Sequence, residues 1–434
     1  MKIAIVGCGY VGLVSGTCIA NLGNDVICVD INPEIIEKLN SGIIPIYEPG
    51  LSELVKENIK AKRLKFTLNL KEAVENSEII FLAVNTPQSD NGEANLTSIF
   101  KAAEEVGKYI NTDNKIIACK STVPPNTGTK IEEIIKNKTN KKFYVASVPE
   151  FLAEGRAIED FQKPERIVLG CNEFYSEEKL KELFEPYGRK DLNKIIVMSR
   201  VTSELTKYAA NSMLASRVSM MNEISAIADI YGADITKIRE GIGSDKRIGK
   251  EFLFPGPGFG GSCFPKDVSA LAYTGSSINP VMLQAVLERN ILQKQVPFNK
   301  LKNLLGPITG KTITVLGLSF KANTDDVRES PSIDLVKRLI SHGTIINVYD
   351  PQGMPNFKKI LSDDSIKYTE SIYDAIEGSH AIILMTEWNQ FRNPDFEKIF
   401  KLMKDPKVII DSRNLWNPER MRKIGFKYDS IGRP

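Results

Sequence analysis

The chain has 434 residues and a formal net charge of +3, with 57 lysines and arginines against 54 aspartates and glutamates. At about 150 residues per domain, this length predicts two or three domains and excludes a single small module. The nearly balanced charge, with no block of one sign, argues against nucleic acid or a membrane surface as a partner. A local cluster of lysines and arginines would still bind a small anionic ligand.

The residue pattern also argues against membrane-spanning, secreted and metal-binding proteins. The longest apolar runs, such as residues 79–84 and 381–385, have the length of strands rather than the ~20 residues that cross a bilayer. A strand-like run begins at Ile3 and leaves no room for a secretion signal, so we expect a cytoplasmic protein. The 6 cysteines, without a CxxC pair, indicate neither a disulfide framework nor a bound metal. Because the chain has only 2 histidines, a lysine, a cysteine or a carboxylate must carry any proton transfer.

The first region, residues 1–198, alternates short apolar runs with helical stretches. The runs are IAIVG, DVICVD, EIIFLAVNTP, KIIACKSTVP and FYVASVPEF. Runs that are apolar throughout are typical of parallel strands with helices on both faces of the sheet. The pattern predicts a doubly wound α/β domain whose site residues lie at the carboxyl ends of the strands.

A central helical region, residues 199–300, and a third region, residues 301–434, follow. No Gly or Pro interrupts residues 201–231, which predicts a helix of roughly 45 Å that connects domains or pairs subunits. The third region contains the runs TITVLGLSF, IINVYDP, AIILMTEW and VIIDSRN. The predicted fold class is therefore α/β, with two Rossmann-like doubly wound domains joined by a long central helix. The third region lacks the GxGxxG spacing after its first strand, so we expect its ligand to differ.

The motif GCGYVG, residues 7–12, follows the first predicted strand and opens a helix. Gly7 makes the tight turn, Gly9 lets the backbone approach a pyrophosphate, and Gly12 allows strand and helix to pack closely. Asp30 ends the next strand, 18 residues after Gly12, where a carboxylate would bind the adenosine ribose. Its charge would repel a 2′-phosphate, so the pattern predicts NAD rather than NADP. The alternative is a glycine-rich turn without a ligand.

The segment GFGGSCFPKD, residues 258–267, combines glycines with a thiol, an ammonium group and a carboxylate. The glycines allow the backbone to lie against a ligand. Lys266 favours the thiolate of Cys263, which makes Cys263 the candidate nucleophile, with Asp267 as its acidic neighbour. The alternative is a buried, inert cysteine beside a surface Lys–Asp pair, and we apply that interpretation to the other cysteines.

The predicted long helix carries a second group of candidates. Lys207 and Asn211 are i, i+4 neighbours and share one face with Glu204 and Tyr208. The alternative is a solvent-exposed stripe, which periodicity by itself does not exclude.

Two further segments follow predicted strands. VPEFLAEG, residues 148–155, holds Glu150 and Glu154; one of them is a candidate base or water-positioning group, or both belong to an ordinary helix start. GLSFKANTDDVRESP, residues 317–331, places Lys321 and Arg328 around a polar turn. Such cations suit phosphate groups, and solvated loop charges are the alternative.

Seven motifs together resemble the UDP-glucose 6-dehydrogenase family, within the wider group of nucleotide-sugar dehydrogenases. In chain order they are GCGYVG, VNTP, STVPPNTG, VPEFLAEG, ELTKYAAN, GFGGSCFPKD and GLSFKANTDDVRESP. The resemblance runs nearly from end to end. It implies that the C6 alcohol of UDP-glucose is oxidised twice, to a carboxylate, with two NAD⁺ used in turn. An aldehyde is a poor hydride donor until a nucleophile adds to it, and Cys263 matches the family's nucleophile, which forms a thiohemiacetal and then a thioester.

The resemblance also assigns the remaining site residues. Lys207 and Asp267 match the pair that handles protons and stabilises the oxyanion. Glu150 matches the base for thioester hydrolysis, with Thr122 and Asn211 supporting water and substrate. The cofactor positions are Gly7, Gly9, Tyr10, Val11, Gly12, Asp30, Thr86, Thr122, Glu154, Lys266 and Arg328. The substrate positions are Glu150, Phe151, Leu152, Glu154, Lys207, Asn211, Arg247, Phe254, Gly260, Phe320, Lys321 and Arg413.

The resemblance implies a homodimer through the long helix, because Arg247 matches a residue that reaches the partner subunit's sugar nucleotide. Several family members carry a basic residue five positions after the ribose-binding acid, where this chain has Ile35. Three alternatives stay open: the same chemistry on GDP-mannose or a UDP-N-acetylhexosamine, a one-step hydroxyacid dehydrogenase, and a non-catalytic NAD-binding sensor.

Overall fold

The computed structural model describes residues 1–188 and 192–434, which form two compact units, Met1–Ala210 and Asn211–Pro434. Each unit contains one sheet of mainly parallel strands with helices around it. The α/β class with two Rossmann-like sheets is therefore confirmed. The domain boundaries at residues 198 and 300 stay predictions.

The first unit is built on an eight-stranded sheet in the order β3-β2-β1-β4-β5-β6-β7-β8, in which only the β6–β7 pair is antiparallel. Its strands are β1 Lys2–Val6, β2 Asp25–Val29, β3 Leu64–Thr67, β4 Ile79–Leu82, β5 Lys115–Cys119, β6 Phe143–Ser147, β7 Ile167–Gly170 and β8 Ile195–Met198. Its helices are α1 Tyr10–Asn21, α2 Pro33–Asn40, α3 Leu51–Lys60, α4 Leu70–Glu75, α5 Thr97–Lys108, α6 Thr127–Lys136, α7 Ala157–Gln162, α8 Phe174–Gly188 and a 3-10 turn, Leu192–Lys194.

Successive residues of β1 face opposite sides of this sheet, and both sides are buried. Ile3 and Ile5 pack into a core that includes residues of α1 and α3. Ala4 and Val6 pack into a second core that includes residues of α5 and α6. Helices on both faces explain why the strand is apolar throughout instead of alternating with polar residues.

The long helix α9, Arg200–Tyr231, has 32 residues and begins in the first unit and ends in the second. It ends at Gly232, whose φ of +66° lies in the left-handed region that terminates helices. The predicted long helix and its end are therefore confirmed. Within the described residues, no helix has both the length and the apolar composition to cross a bilayer.

The second unit is built on a six-stranded, all-parallel sheet in the order β11-β10-β9-β12-β13-β14. Its strands are β9 Thr312–Leu316, β10 Ile345–Tyr349, β11 Ile366–Tyr368, β12 Ala381–Leu384, β13 Val408–Asp411 and β14 Lys427–Ser430. Its helices are α10 Ile235–Gly243, α11 Phe264–Thr274, α12 Val281–Gln293, α13 Val296–Leu305, α14 Pro331–Ser341, α15 Met354–Ile360, α16 Ile372–Ile376, α17 Phe396–Leu402, α18 Pro418–Ile424 and the 3-10 turns Ser276–Ile278 and Asn389–Phe391.

A glycine turn lies at the point where the strand order reverses in each sheet. Gly7 follows β1 beside β4, and Gly317 follows β9 beside β12. A Cβ on Gly7 would lie 2.5 Å from the carbonyl oxygen of Ala83, and a Cβ on Gly317 would lie 2.4 Å from the Cβ of Thr386. Neither Gly7 nor Gly317 therefore has room for a side chain, and both lie at the crevice where ligands of such folds bind.

Gly7→Ala and Gly23→Ala are a matched pair that tests this steric requirement. Both glycines have a left-handed backbone, with φ of +105° and +94°, but a Cβ on Gly23 would meet nothing within 4 Å. We expect Gly23→Ala to lower the free energy of unfolding by about 1 kcal/mol. We expect Gly7→Ala to lower it by more than about 3 kcal/mol, because the chain must also move away from Ala83. Thermal unfolding without ligand measures both, and equal decreases in Tm would contradict the steric argument.

Candidate functional site

The glycine motif after β1 forms a cradle at the N-terminus of α1. A Cβ on Gly12 would lie 1.9 Å from the carbonyl oxygen of Gly7, so the turn and the helix touch at this point. A Cβ on Gly9, the N-cap residue of α1, would meet only the Asn85 Oδ1 atom, at 3.9 Å. The space in front of Gly9 thus suits a pyrophosphate, which the N–H groups of a helix N-terminus bind. The residues present therefore fit a dinucleotide.

Four strand ends contribute to this cradle. The Asp30 carboxylate, after β2, accepts the backbone N–H of Cys8 at 2.7 Å, which holds the acid against the glycine turn. Thr86, after β4, donates its hydroxyl to the carbonyl oxygen of Thr122, after β5, at 2.9 Å. The structure thus places Asp30, Thr86 and Thr122 at the same edge of the sheet as the glycine motif.

Glu48 is a residue that the sequence analysis missed. Its buried carboxylate accepts hydrogen bonds from the hydroxyl of Tyr10, from the N–H of Gly155 at 2.7 Å and from the N–H of Ala157 at 2.8 Å. Burial, together with Glu48, raises the pKa of Tyr10. Glu48 therefore joins α1 to the segment 151–157, which includes Phe151, Leu152 and Glu154. No spacing pattern could have revealed it, because its partners lie 38 and 107 or more residues away in the chain.

Glu150 and Lys207 form a buried ion pair, with 3.0 Å between Nζ of Lys207 and Oε1 of Glu150 and side-chain exposures of 4% and 7%. Burial alone would raise the pKa of Glu150, but Lys207, the Leu152 N–H and Lys120 together hold it below its usual value. Glu150 is therefore ionised and able to accept a proton. Sequence analysis had also missed Lys120, because a single lysine after a strand carries no pattern.

The Phe151 ring lies beside two cations. The Lys207 ammonium is 5.2 Å from the ring centroid, and the Arg166 guanidinium is 4.0 Å from it. Cation–π attraction thus orients Phe151 next to the ion pair. Arg166 was not among the sequence candidates.

The candidates on α9 are buried. The exposed fractions of Glu204, Lys207, Tyr208 and Asn211 are all 6% or less, which excludes a solvent-exposed stripe. Glu204 accepts the N–H groups of Asn126 and Gly128, each at 2.7 Å, where α6 begins. It thereby holds the loop after Thr122 against α9.

In the second unit, Cys263 is the N-cap residue of α11. Its thiol is partly exposed, and it lies at a helix N-terminus, a position that in proteins favours the thiolate form of cysteine. The other cysteines are buried, and burial raises the pKa of Cys18 to about 12 and of Cys171 to about 11. Cys263 is therefore the cysteine best placed to react.

Asp267, on the first turn of α11, is 1% exposed. Its carboxylate accepts a hydrogen bond from the side-chain amide of Asn211 at 2.6 Å and another from the ammonium group of Lys266 at 2.5 Å. Three of the predicted residues thus form one hydrogen-bonded group close to the thiol in sequence.

The glycine segment before Cys263 lies against the loop that follows β9. The N–H of Gly261 donates to the carbonyl oxygen of Arg328 at 2.8 Å, and a Cβ on Gly260 would lie 2.3 Å from the carbonyl oxygen of Glu329. Arg413 donates to the carbonyl oxygen of Phe320 at 2.8 Å. A Cβ on Gly261 would lie 2.9 Å from the Phe320 ring, so the glycine segment, Phe320 and Arg413 lie close together although the sequence separates them widely.

Other predicted residues of the second unit lie on its surface. Arg247 is 89% exposed and pairs with Asp245 at 2.6 Å, and Phe254 is 56% exposed. Arg328 is 57% exposed and pairs with Asp326 at 2.7 Å. Within the described contacts of this unit, Arg247 and Phe254 are not brought next to Cys263.

The second sheet has an acid in the position that corresponds to Asp30, but its carboxylate is already surrounded by hydrogen-bond donors of the protein. Asp350 follows β10 and is fully buried. Its carboxylate accepts the N–H groups of Leu318 at 2.7 Å and Ser319 at 3.0 Å, and the indole N–H of Trp388 at 3.1 Å. Because those donors surround Asp350, it does not offer a free carboxylate to a ribose, which agrees with a different ligand for this sheet.

We expect Glu48→Gln to weaken NAD binding about tenfold and Tyr10→Phe to weaken it about twofold. The first change replaces an anion that accepts three donors, whereas the second removes one of the donors. Calorimetric titration with NAD measures both, and Glu53→Gln, an exposed change on α3, is the matched control. Unchanged NAD affinity in Glu48→Gln would contradict this role.

Three models of one family match most of the chain. The NAD binding domain of the UDP-glucose/GDP-mannose dehydrogenase family matches residues 1–188, its central domain matches residues 201–291, and its UDP binding domain matches residues 314–418. The first of these confirms NAD as the cofactor. The third supports a nucleotide sugar as the substrate.

Relatives match over the full length. A UDP-glucose 6-dehydrogenase from Pseudomonas aeruginosa is 41% identical, with 100% of this chain and 98% of the relative covered. UDP-glucose 6-dehydrogenase TuaD from Bacillus subtilis is 43% identical, with 100% and 93% covered. A solved UDP-glucose dehydrogenase from Pyrobaculum islandicum is 35% identical with a TM-score of 0.92, with 100% and 98% covered. The chain therefore belongs to the UDP-glucose/GDP-mannose dehydrogenase family, as its seven motifs predicted.

Proposed function

We propose that the chain catalyses the NAD-dependent oxidation of UDP-glucose to UDP-glucuronate, with two NADH formed per substrate. The observation that carries this proposal is the 41–43% identity, over 100% of the chain, to proteins named UDP-glucose 6-dehydrogenase. A solved UDP-D-ManNAc dehydrogenase from Pyrococcus horikoshii, at 26% identity and a TM-score of 0.87, is less similar. The UDP-glucose branch is therefore preferred over an N-acetylated sugar.

The first oxidation removes a hydride from C6 and a proton from the C6 hydroxyl, which leaves an aldehyde. NAD, when bound, supplies the hydride acceptor for both oxidations. Lys207 and Asp267 are the groups proposed for the proton and for the negative charge that develops on oxygen. Their burial supports this role, because charge–charge interactions are stronger where water is excluded.

The second oxidation passes through Cys263. Its sulfur adds to the aldehyde carbon, the C=O π bond opens, and the proton of the thiol passes to the aldehyde oxygen, which gives a thiohemiacetal. The thiohemiacetal then loses a hydride and its hydroxyl proton to become a thioester. Water then adds to the thioester carbon, the Cys263 sulfur leaves, and Glu150 accepts a proton from the water. The ionised state of Glu150 supports its role as this base. Thr122 and Asn211 are proposed to hold the water and the substrate.

A homodimer through α9 is part of the proposal. Met213, Met220 and Ile227 lie seven residues apart, so they share one face of the helix, and they are 64%, 55% and 50% exposed. Large apolar side chains exposed in a row suit a second copy of the chain. We also propose a cytoplasmic location, because a catalytic thiol is preserved in a reducing compartment.

The ratio of NADH formed to UDP-glucose consumed tests the chemistry. With limiting substrate we expect a ratio of 2 for the wild type, whereas Cys263→Ser should lose the second oxidation, because a hydroxyl is a much weaker nucleophile than a thiolate. Cys171→Ala, a cysteine outside the proposed chemistry, is the control and should keep the wild-type ratio.

Other ratios would select the alternatives. One NADH per wild-type substrate would indicate a one-step dehydrogenase and contradict the thioester route. No NADH from UDP-glucose, with turnover of GDP-mannose or UDP-N-acetylglucosamine, would move the chain to a sister branch. NAD binding without turnover of any of these would indicate a sensor.

The dimer is tested by Met220→Glu. A carboxylate at the centre of the apolar row should convert the dimer into a monomer, because burying an unpaired charge costs several kcal/mol. Sedimentation equilibrium measures the mass, and Lys337→Glu on the exposed face of α14 is the control. A wild type that is monomeric, or a Met220→Glu variant that stays dimeric, would argue against α9 as the interface.

A further inference from the structure

Arg413 lies where ligands of a doubly wound sheet bind. Its Nη2 atom donates to the carbonyl oxygen of Phe320 at 2.8 Å, and its Nε atom donates to that of Met385 at 2.7 Å. Phe320 lies in the loop after β9 and Met385 follows β12, and the strand order of the second sheet reverses between these two strands. The guanidinium group therefore bridges both sides of the crevice, and the side chain stays partly exposed, where a ligand can reach it.

The turn that carries Arg413 is held by a buried carboxylate. Asp411, the last residue of β13, is fully buried and accepts hydrogen bonds from the N–H groups of Arg413 at 3.0 Å and Trp416 at 2.8 Å. A buried carboxylate needs such donors, because it has lost the hydrogen bonds of water. The position of the Arg413 backbone thus depends on how Asp411 is held.

A third donor to Asp411 belongs to residues 428–433, which we call the closing segment. The Tyr428 hydroxyl donates to the Asp411 carboxylate at 2.7 Å. Arg433 donates to the Tyr428 hydroxyl at 2.7 Å and to the carbonyl oxygen of Trp416 at 3.1 Å. The Arg433 guanidinium also lies 3.6 Å from the Asp411 carboxylate. The closing segment therefore supplies both a hydrogen bond and a positive charge to the acid that holds the turn.

A second pair of contacts fixes the same turn. The side-chain amide of Asn414 donates to the carbonyl oxygen of Ile431 at 2.8 Å, and the N–H of Ile431 donates back to Asn414 at 2.9 Å. The closing segment is in turn fixed on α9, because the N–H of Gly432 donates to Asp229 at 3.1 Å. A Cβ on Gly432 would lie 2.8 Å from the Cβ of Ser225, so the two segments are in close contact. The turn around Arg413 thus rests on a segment that α9 holds in place.

We propose that the closing segment is part of the nucleotide site: its contacts with Asp411 and Asn414 position Arg413 to bind UDP. Its members are positioning residues that act through Arg413 rather than by contact with the ligand. The family's UDP binding domain matches residues 314–418, so the closing segment lies outside the matched part. The inference rests on the proposed binding of UDP-glucose.

Calorimetric titration of the full chain with UDP tests the inference through Arg413→Met, Tyr428→Phe and their combination. Arg413→Met removes the proposed cation and should weaken UDP binding about tenfold. Tyr428→Phe removes one donor of the buried Asp411 and should weaken it about fivefold. Because Tyr428 acts through Arg413, the double variant should bind UDP within about twofold of Arg413→Met. Unchanged UDP affinity in either single variant, or losses that multiply in the double variant, would overturn the proposal.

Tyr368→Phe is the matched control. Tyr368 lies on β11, the opposite edge strand of the same sheet, and its hydroxyl donates to the carbonyl oxygen of Leu361 at 2.9 Å. Each change removes one hydroxyl and its hydrogen bond, so both should lower Tm, but only Tyr428→Phe should weaken UDP binding. Equal losses of UDP affinity in the two variants would show that the Tyr428 hydroxyl serves stability alone.

Hydrogen exchange of the unaltered chain covers the case in which Tyr428→Phe does not fold. If the closing segment positions Arg413 for UDP, bound UDP must also stabilise the closing segment, because coupling between sites is reciprocal. With saturating UDP we expect the Ile431 amide to exchange at least about threefold more slowly, and the amides of β11 to be unaffected. Unchanged exchange at Ile431 would overturn the proposal. UDP is not oxidised, so these measurements are independent of the NADH ratio that tests the proposed function.

Discussion

The buried Glu150–Lys207 ion pair shows the constraint on which much of this structure depends: a carboxylate that loses its water must gain a partner. Glu48 meets this constraint with two backbone N–H groups and a tyrosine hydroxyl, and Asp267 meets it with Asn211 and Lys266. Apart from the pair of neighbours Lys266 and Asp267, these pairings join segments that are distant in the chain. The same interactions that satisfy buried charge therefore also position the proposed site residues.

The two sheets show how one turn geometry supports different ligands. Both place a positive-φ glycine after the first strand and an acid after the second. Asp30 lies beside a cradle that stays open in front of Gly9, whereas Asp350 is enclosed by N–H donors from its own loop and from Trp388. Asp30 accepts the N–H groups of Cys8 and Asn32 but stays partly exposed, so a ribose can still reach it. The donors around the fully buried Asp350 instead stabilise the loop that holds it. The family's separate NAD binding and UDP binding domains agree with this division.

Reactivity among the cysteines follows from position. A buried thiol in apolar surroundings resists ionisation, as the raised pKa values of Cys18 and Cys171 show. Cys263 differs because it caps a helix and is partly exposed. The surrounding glycines have a structural reason too, since the Cβ of an alanine at residue 260 would collide with the carbonyl oxygen of Glu329. The motif therefore combines a reactive cysteine with glycines that let its segment pack closely against the loop after β9.

The sequence by itself determined the α/β class, the length of α9, the dinucleotide motif and the family, because strand and helix periodicity and short motifs are local properties. Only the tertiary structure decided that the α9 candidates are buried, that Gly261 lies against the Phe320 ring and that Arg413 donates to the carbonyl oxygen of Phe320. It also revealed Glu48, whose hydrogen-bond partners lie on other elements. Hydrogen bonds and charge–charge interactions depend on distances in space, and chain spacing encodes those distances only within a single helix or turn.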